Sequence, residues 1–281
     1  MWKWIGFIFL LLVSMAATVS TGTEQDTVNE TALTIDTAVV DTFKVNSAYD
    51  DPDTSHGDGV CSTGFSLPGG PAECTLRAAI EEANADVVAT SITIAVDILA
   101  PNRGGYPFGH TDSTDVWTIP VNEAVVGPPM GPLPTITRSN VTITGEMQLA
   151  DSVGTSATDA ACGDLIGGTP HRLKVVVDGA LLSASGSGIK ISAEGTQTLV
   201  QGLVLSNFPE SCVENYADNL IVDCIYAGTD RAGDARYGNG LYGVAVSGGS
   251  GSIVRNSLLS GNGSSGVWIG SAGITRIEGN L

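Results

Sequence analysis

Gly188-Ile189-Lys190-Ile191, Gly243-Val244-Ala245-Val246 and Gly266-Val267-Trp268-Ile269 repeat one short pattern, a glycine followed by apolar residues at every second place. That alternation is the period of a strand with one buried face. A second pattern is interleaved with it, an aliphatic pair, a bend, then more aliphatics. Its copies are Leu199-Val200-Gln201-Gly202-Leu203-Val204, Leu220-Ile221-Val222-Asp223-Cys224-Ile225 and Ile253-Val254-Arg255-Asn256-Ser257-Leu258. Aligned on Leu199, Leu220, Ile253 and Ile277, they recur with a period in the low twenties, and the one longer gap holds an extra loop, residues 227–239. Short strands at such a period, separated by Gly, Asn and Ser, predict a solenoid of parallel strands.

The physical reason is one of burial. A strand with two or three inward aliphatics cannot bury enough surface to hold its own backbone in order. Stacked in register on another, it pairs its amides and adds its aliphatics to a shared apolar column. Gly and Asn tolerate the left-handed backbone angles that sharp corners require. A leucine-rich repeat is excluded because Leu-x-x-Leu-x-Leu is missing, and a helical array by the Gly and β-branched content. The expected fold class is all-β, a right-handed parallel β-helix with an N-terminal capping α-helix.

Composition agrees with one elongated domain. The 281 residues include 36 Gly, only 12 Lys plus Arg, and 15% charged residues. A formal net charge of −18 argues against nucleic acid and anionic lipid as partners, since both attract basic surfaces. Acidity of this kind maintains solubility and suits an extracellular protein.

From its start the chain divides into five expected parts. Residues 1–20 read as a secretory signal peptide, with Lys3, an apolar run over 5–13, and small residues before a cleavage site after Ala16 or near Ser20. No other segment is apolar and long enough to span a membrane. Residues 21–40, rich in Thr, Asp, Glu and Ala, read as a flexible lead-in. Residues 41–98 are the expected N-terminal cap, 99–187 early coils with long loops (102–113, 126–134, 147–170), and 188–281 the regular coils. The pattern breaks off in mid-strand at Leu281, which points to a C-terminal truncation.

Within the cap, Asp50, Asp51, Asp53 and Asp58 lie on a Pro- and Gly-punctuated loop. They are candidate calcium ligands, hard oxygens at close spacing, although the loop lacks the Gly and Glu positions of an EF-hand. The bland alternative is an Asp-rich turn. No other cofactor is implied. Cys61 and Cys74 are expected to form a disulfide, whereas Cys162, Cys212 and Cys224 leave the remaining pairing open. Residues 75–85 carry Leu76, Ala79, Ile80 and Ala83 at helical spacing, with Thr75 as cap. A lone helix before a solenoid has a use, to cover the open end of the apolar column.

The runs Gly57-Asp58-Gly59-Val60-Cys61 and Cys74-Thr75-Leu76-Arg77-Ala78-Ala79-Ile80-Glu81-Glu82-Ala83-Asn84-Ala85 resemble the start of CSLREA-domain proteins. That domain is named for its Cys-Ser-Leu-Arg-Glu-Ala run. Here Thr75 replaces Ser and Ala78 replaces Glu. Val141-Thr142-Ile143-Thr144-Gly145, Gly228-Thr229-Asp230 and Asn256-Ser257-Leu258-Leu259-Ser260-Gly261-Asn262-Gly263 are similar to later segments of the same group. The resemblance covers roughly residues 43–281. It implies a secreted right-handed β-helix and carries no activity, because its motifs are architectural.

Catalytic signatures are missing. His56, His110 and His171 stand beside no candidate nucleophile, and no nucleophile elbow, zinc-protease helix or phosphate loop occurs. Asp223, Asp230, Arg231, Asp234 and Arg236 are the residue types a β-helix polysaccharide lyase uses, but Asp230 reads better as a turn residue. Trp268 alternates out of an inward-facing pair, with Lys190, Glu214 and Ala245 at matching outward places. Trp268 and Lys190 are therefore candidate carbohydrate contacts. The expected role is a secreted or cell-surface scaffold, adhesin-like and non-catalytic, that contacts polysaccharide or other cells. The rival is a polysaccharide lyase or glycoside hydrolase of pectate-lyase-like architecture. Sequencing the N-terminus of exported protein checks the leader: the mature chain is expected to start at Ala17 or within a few residues of Thr21.

Overall fold

The structure is a computed structural model that describes residues 38–67, 69–98, 117–122, 130–146, 162, 171, 173–183 and 185–281. The expected leader, residues 21–37 of the lead-in, most of the three long loops, Val116 and His110 lie outside the described residues. Residues 38–281 form one compact unit.

Among the described residues, that unit consists of strands in three parallel sheets and one α-helix. The first sheet has seven strands, in the order β1 (Val40–Val45), β2 (Ser91–Val96), β4 (Val141–Thr144), β7 (Leu199–Gln201), β10 (Ile221–Asp223), β13 (Ser252–Arg255) and β16 (Thr275–Glu278). The second has five: β3 (Trp117–Pro120), β5 (Val175–Asp178), β8 (Val204–Ser206), β11 (Tyr226–Ala227) and β14 (Leu258–Leu259). The third has four: β6 (Ile189–Ile191), β9 (Val213–Asn215), β12 (Val244–Val246) and β15 (Val267–Ile269). From β6 onward the chain visits the third, first and second sheets in strict rotation.

Register produces the core. In the first sheet Phe43, Ile94, Ile143, Val200, Val222, Val254 and Ile277 are successive partners across all seven strands. Five of them, from Ile94 to Val254, have no exposed surface. Inward residues of the other two sheets, Val177, Leu205 and Ala227 on one side and Ile189, Val213 and Val244 on the other, belong to the same cluster. Each fully buried Val, Leu or Ile among them stabilises by roughly 1.5–3 kcal/mol relative to exposure.

The alignment read from the sequence is one residue out in two of its four places. Leu199 pairs with Ile221, not Leu220, and Ile253 lies opposite Arg276, not Ile277. Leu199, Ile221 and Ile253 form a half-buried outer row, whereas Leu220 is fully buried. Aliphatic pairs conceal the phase, because both members are apolar and a slip of one exchanges the faces. Likewise Ile269, expected to face inward, is 44% exposed, because β15 is the edge strand of its sheet.

The corners follow the expected chemistry with one exception. Gly202, Cys224, Asn256 and Gly279 each follow a strand of the first sheet, with φ of 70°, 54°, 49° and 66°. Gly and Asn occupy that region readily, but a cysteine there is strained. Cys224 is anchored by a disulfide to Cys162. Cys212, the third of the cysteines whose pairing the sequence left open, is buried and free.

Helix α1 (Leu76–Ala85) starts where expected, with the Thr75 hydroxyl accepting from the Ala78 N–H at 3.0 Å. Leu76, Ala79, Ile80 and Ala83 are buried in the same cluster as β1 and β2. Cys61 and Cys74 are joined by a disulfide directly before the helix. Arg77 donates to both carboxylate oxygens of Asp50, at 3.1 and 2.7 Å, and to the carbonyls of Gly131 and Pro132. One buried guanidinium thus ties the helix to two loops.

The register has a direct test. Val222→Ala is expected to destabilise by about 2–3 kcal/mol through a core cavity, and Ile221→Ala by under about 1 kcal/mol. Denaturant titration of both variants measures the difference, and equal losses contradict the assigned phase.

Candidate functional site

The outward row of the third sheet runs Lys190, Glu214, Ala245, Trp268 on four successive strands. Parallel pairing brings residues far apart in sequence to adjacent strands, about 4.8 Å apart. Lys190 and Trp268, the two carbohydrate candidates, thus share one face, as their outward alternation implied.

Around this row lies a groove of about 320 Å³. At one side the Lys190 ammonium is 3.1 Å from Glu214 Oε2 and 5.5 Å from the centre of the Tyr216 ring. Glu214 also accepts from the Tyr216 hydroxyl at 2.6 Å and from Ser187 Oγ at 3.0 Å. At the other side the rings of Trp268 and Tyr242 stack, 5.3 Å between centres and 10° from coplanar. Ala245 lies between the two groups as a small floor, only 3% exposed. The benzo edge of the indole lies over Gly270, where a Cβ would stand 2.3 Å from the ring. Trp268 therefore has a fixed place and is still 39% exposed.

Electrostatics here favour fixed charges. Burial alone would raise the Glu214 carboxyl, but hydrogen bonds from Tyr216, Lys190 and Ser187 outweigh it and hold the pKa below the ordinary value. Burial works against the Lys190 charge, and pairing to Glu214 outweighs that too, so its pKa is raised. The hydrogen bond to Glu214 raises the Tyr216 hydroxyl. A lowered acid and a raised amine are poor proton-transfer groups near neutrality. The arrangement is suited to hydrogen-bonding and stacking.

The other candidates are dispersed. Asp50 is fully buried against Arg77 and also accepts from the Asn122 N–H at 2.6 Å. Its burial raises the carboxyl to about 6 against the pull of that guanidinium. Asp53 accepts from the N–H groups of Ser62 and Ser55, and Asp58 from that of Val60. Asp51 is buried beneath the helix cap, its carbonyl accepting from Thr75 Oγ1 at 2.5 Å. Of the calcium candidates, three thus engage turn or helix partners through their carboxylates, and among the described residues no group of three or more His, Cys, Asp or Glu converges. His56 is 3.4 Å from Glu81, and His171 Nε2 is 2.7 Å from the Asn256 carbonyl.

Four of the five lyase candidates share residues 230–236, where Thr229 bridges to Arg236, and the fifth, Asp223, lies on β10. Asp223 projects from the first sheet and pairs with Arg255 at 2.8 Å. Asp230 follows the second sheet and caps its own loop, accepting from the N–H groups of Asp234 and Ala235. Arg236 donates to the Gly261 carbonyl.

Sequence reasoning missed Tyr242 and Tyr216, although it set Glu214, on β9, at the matching outward place. The inward Asn215 interrupts the apolar alternation of β9, and it is satisfied locally by Ala217. The available signal was an aromatic residue within two places of a short strand, as at Tyr242 and Tyr216.

Glu214 has a pH consequence. Its depressed pKa contributes stability that is complete above the ordinary value of 4.5 and is lost as pH falls through the lower folded value. Tyr216→Phe removes one hydrogen bond, so the Glu214 carboxyl is expected to titrate at higher pH than in the parent, as read by carboxyl-carbon NMR. An unchanged or lower value contradicts the network. The chain matches no protein-family model, no curated protein and no solved structure.

Proposed function

We propose that this chain is a secreted or cell-surface scaffold, a right-handed parallel β-helix of the CSLREA kind, whose third sheet contacts polysaccharide without cleaving it. The winding is supported by the rotation of the chain through three all-parallel sheets and by their common apolar cluster. The helix that packs on β1 and β2, at one end of the first sheet, has the character of a cap. Secretion is supported by the leader-like residues 1–20 and by two disulfides, bonds that persist in oxidising compartments.

The contact reading rests on one observation: the stacked Trp268–Tyr242 pair faces the Lys190–Glu214 pair across the Ala245 floor. Aromatic surface packs against the C–H face of a pyranose ring, and fixed charged groups hydrogen-bond its hydroxyls. A groove of about 320 Å³ is at the small end of the range for ligand pockets. The rival, a lyase or glycoside hydrolase, needs a base or acid tuned towards neutral pH, and the shifts of Lys190 and Glu214 run the other way.

Affinity electrophoresis against a polysaccharide panel tests the contact. Trp268→Ala is expected to weaken retention about tenfold, near 1.4 kcal/mol, with the melting temperature little changed. Undiminished retention removes the stacking role. Incubation with acidic polysaccharides, with and without calcium, is expected to yield no unsaturated products, and their appearance would favour the lyase.

A further inference from the structure

The groove at Trp268 continues beyond Lys190. A second groove, about 350 Å³, shares Ser187, Lys190 and Glu210 with the first and runs on past Leu133 and Thr135. Ile136 bridges in parallel to Ile191 of β6, on the side away from β9. The two grooves therefore make one trough that crosses the strands. It passes from β15 over β12, β9 and β6 to the segment before Ile136, four strand spacings or ~19 Å. A single sugar ring does not fill that length, but a linear chain does.

The charges along the trough are few. Among the described residues, the charged side chains that line it are Lys190, Glu210 and Glu214. Lys190 is committed to Glu214 at 3.1 Å. Glu210 forms no ion pair among the described residues, so its carboxylate leaves the trough net negative on a chain of formal charge −18. A carboxylated or sulfated polymer laid here meets like charge close by and, among the described residues that line the trough, finds no free cation.

We infer that the occupant is a linear, uncharged polysaccharide that lies across the strands, and that Glu210 turns acidic chains away. This rests on the glycan-contact reading above and names its ligand class. It also separates the site from that of an enzyme on pectate-like polymers, which must attract polyanions.

The test uses the purified mature chain in affinity electrophoresis with soluble polymers: hydroxyethylcellulose and galactomannan as neutral probes, carboxymethylcellulose and polygalacturonate as acidic ones. Neutral polymers are expected to retain the protein, with acidic ones at least about tenfold weaker at low ionic strength, and the gap narrowing as salt screens the repulsion. Glu210→Gln is expected to move the acidic-to-neutral affinity ratio towards one. Neutral hexasaccharides are expected to compete better than disaccharides. Acidic polymers bound as tightly as neutral ones, a ratio unchanged in Glu210→Gln, or equal competition by disaccharides overturns this inference and leaves the contact reading standing. Retention by none of the polymers overturns the contact reading and this inference together.

Discussion

Parallel stacking in strict register is the constraint on which every other feature depends. Strands of two to six residues are too short to order themselves. Each gains its backbone partners and its burial from the strand on either side. The inward row from Phe43 to Ile277 carries this through seven strands with no polar interruption. A residue that enters the row must be apolar and of similar size, and a one-place slip would exchange Val222 with Ile221 or Asp223.

Polar chemistry holds the helix and the corners of this stack in place. Arg77, almost wholly buried, joins α1 to Asp50 and to the carbonyls of residues 131 and 132. Removal of one partner would leave an uncompensated buried charge, a costly defect. The Cys61–Cys74 disulfide closes a short loop against the same helix, worth about 3 kcal/mol in the chain-entropy account. At the corners, the left-handed residue after each later strand of the first sheet redirects the chain, and Asn239 with Asn262 bridges neighbouring loops at 2.9 Å.

The same register that builds the core displays the outer face. Because inward and outward residues alternate, a fixed core phase sets Lys190, Glu214, Ala245 and Trp268 in one line. Their mutual effects then follow from distance: a charge pair at one end, a small floor, and a stacked aromatic pair. Backbone pairing of the strands beneath fixes the spacing of these groups.

Much of this was legible in the residues. The alternation in 188–191, 243–246 and 266–269 determined the strands, the shared face of Trp268 and Lys190, and the need for stacking. Helical spacing and Thr75 determined α1. What the sequence could not settle was phase inside aliphatic pairs such as Leu220-Ile221, since either residue satisfies the pattern and only cross-strand pairing selects one. The partner of Cys224 was likewise undecided, because a disulfide depends on which loops the fold brings within reach, here residue 162. Nor did an Asp-rich loop declare its use: tertiary contacts gave Asp50 to Arg77 and the carboxylates of Asp53 and Asp58 to backbone amides. Local pattern thus determined which residues face in and which face out wherever apolar and polar places alternate. Only the three-dimensional pairing decided which outward residues meet, because those partners are more than twenty residues apart and are joined by stacking alone.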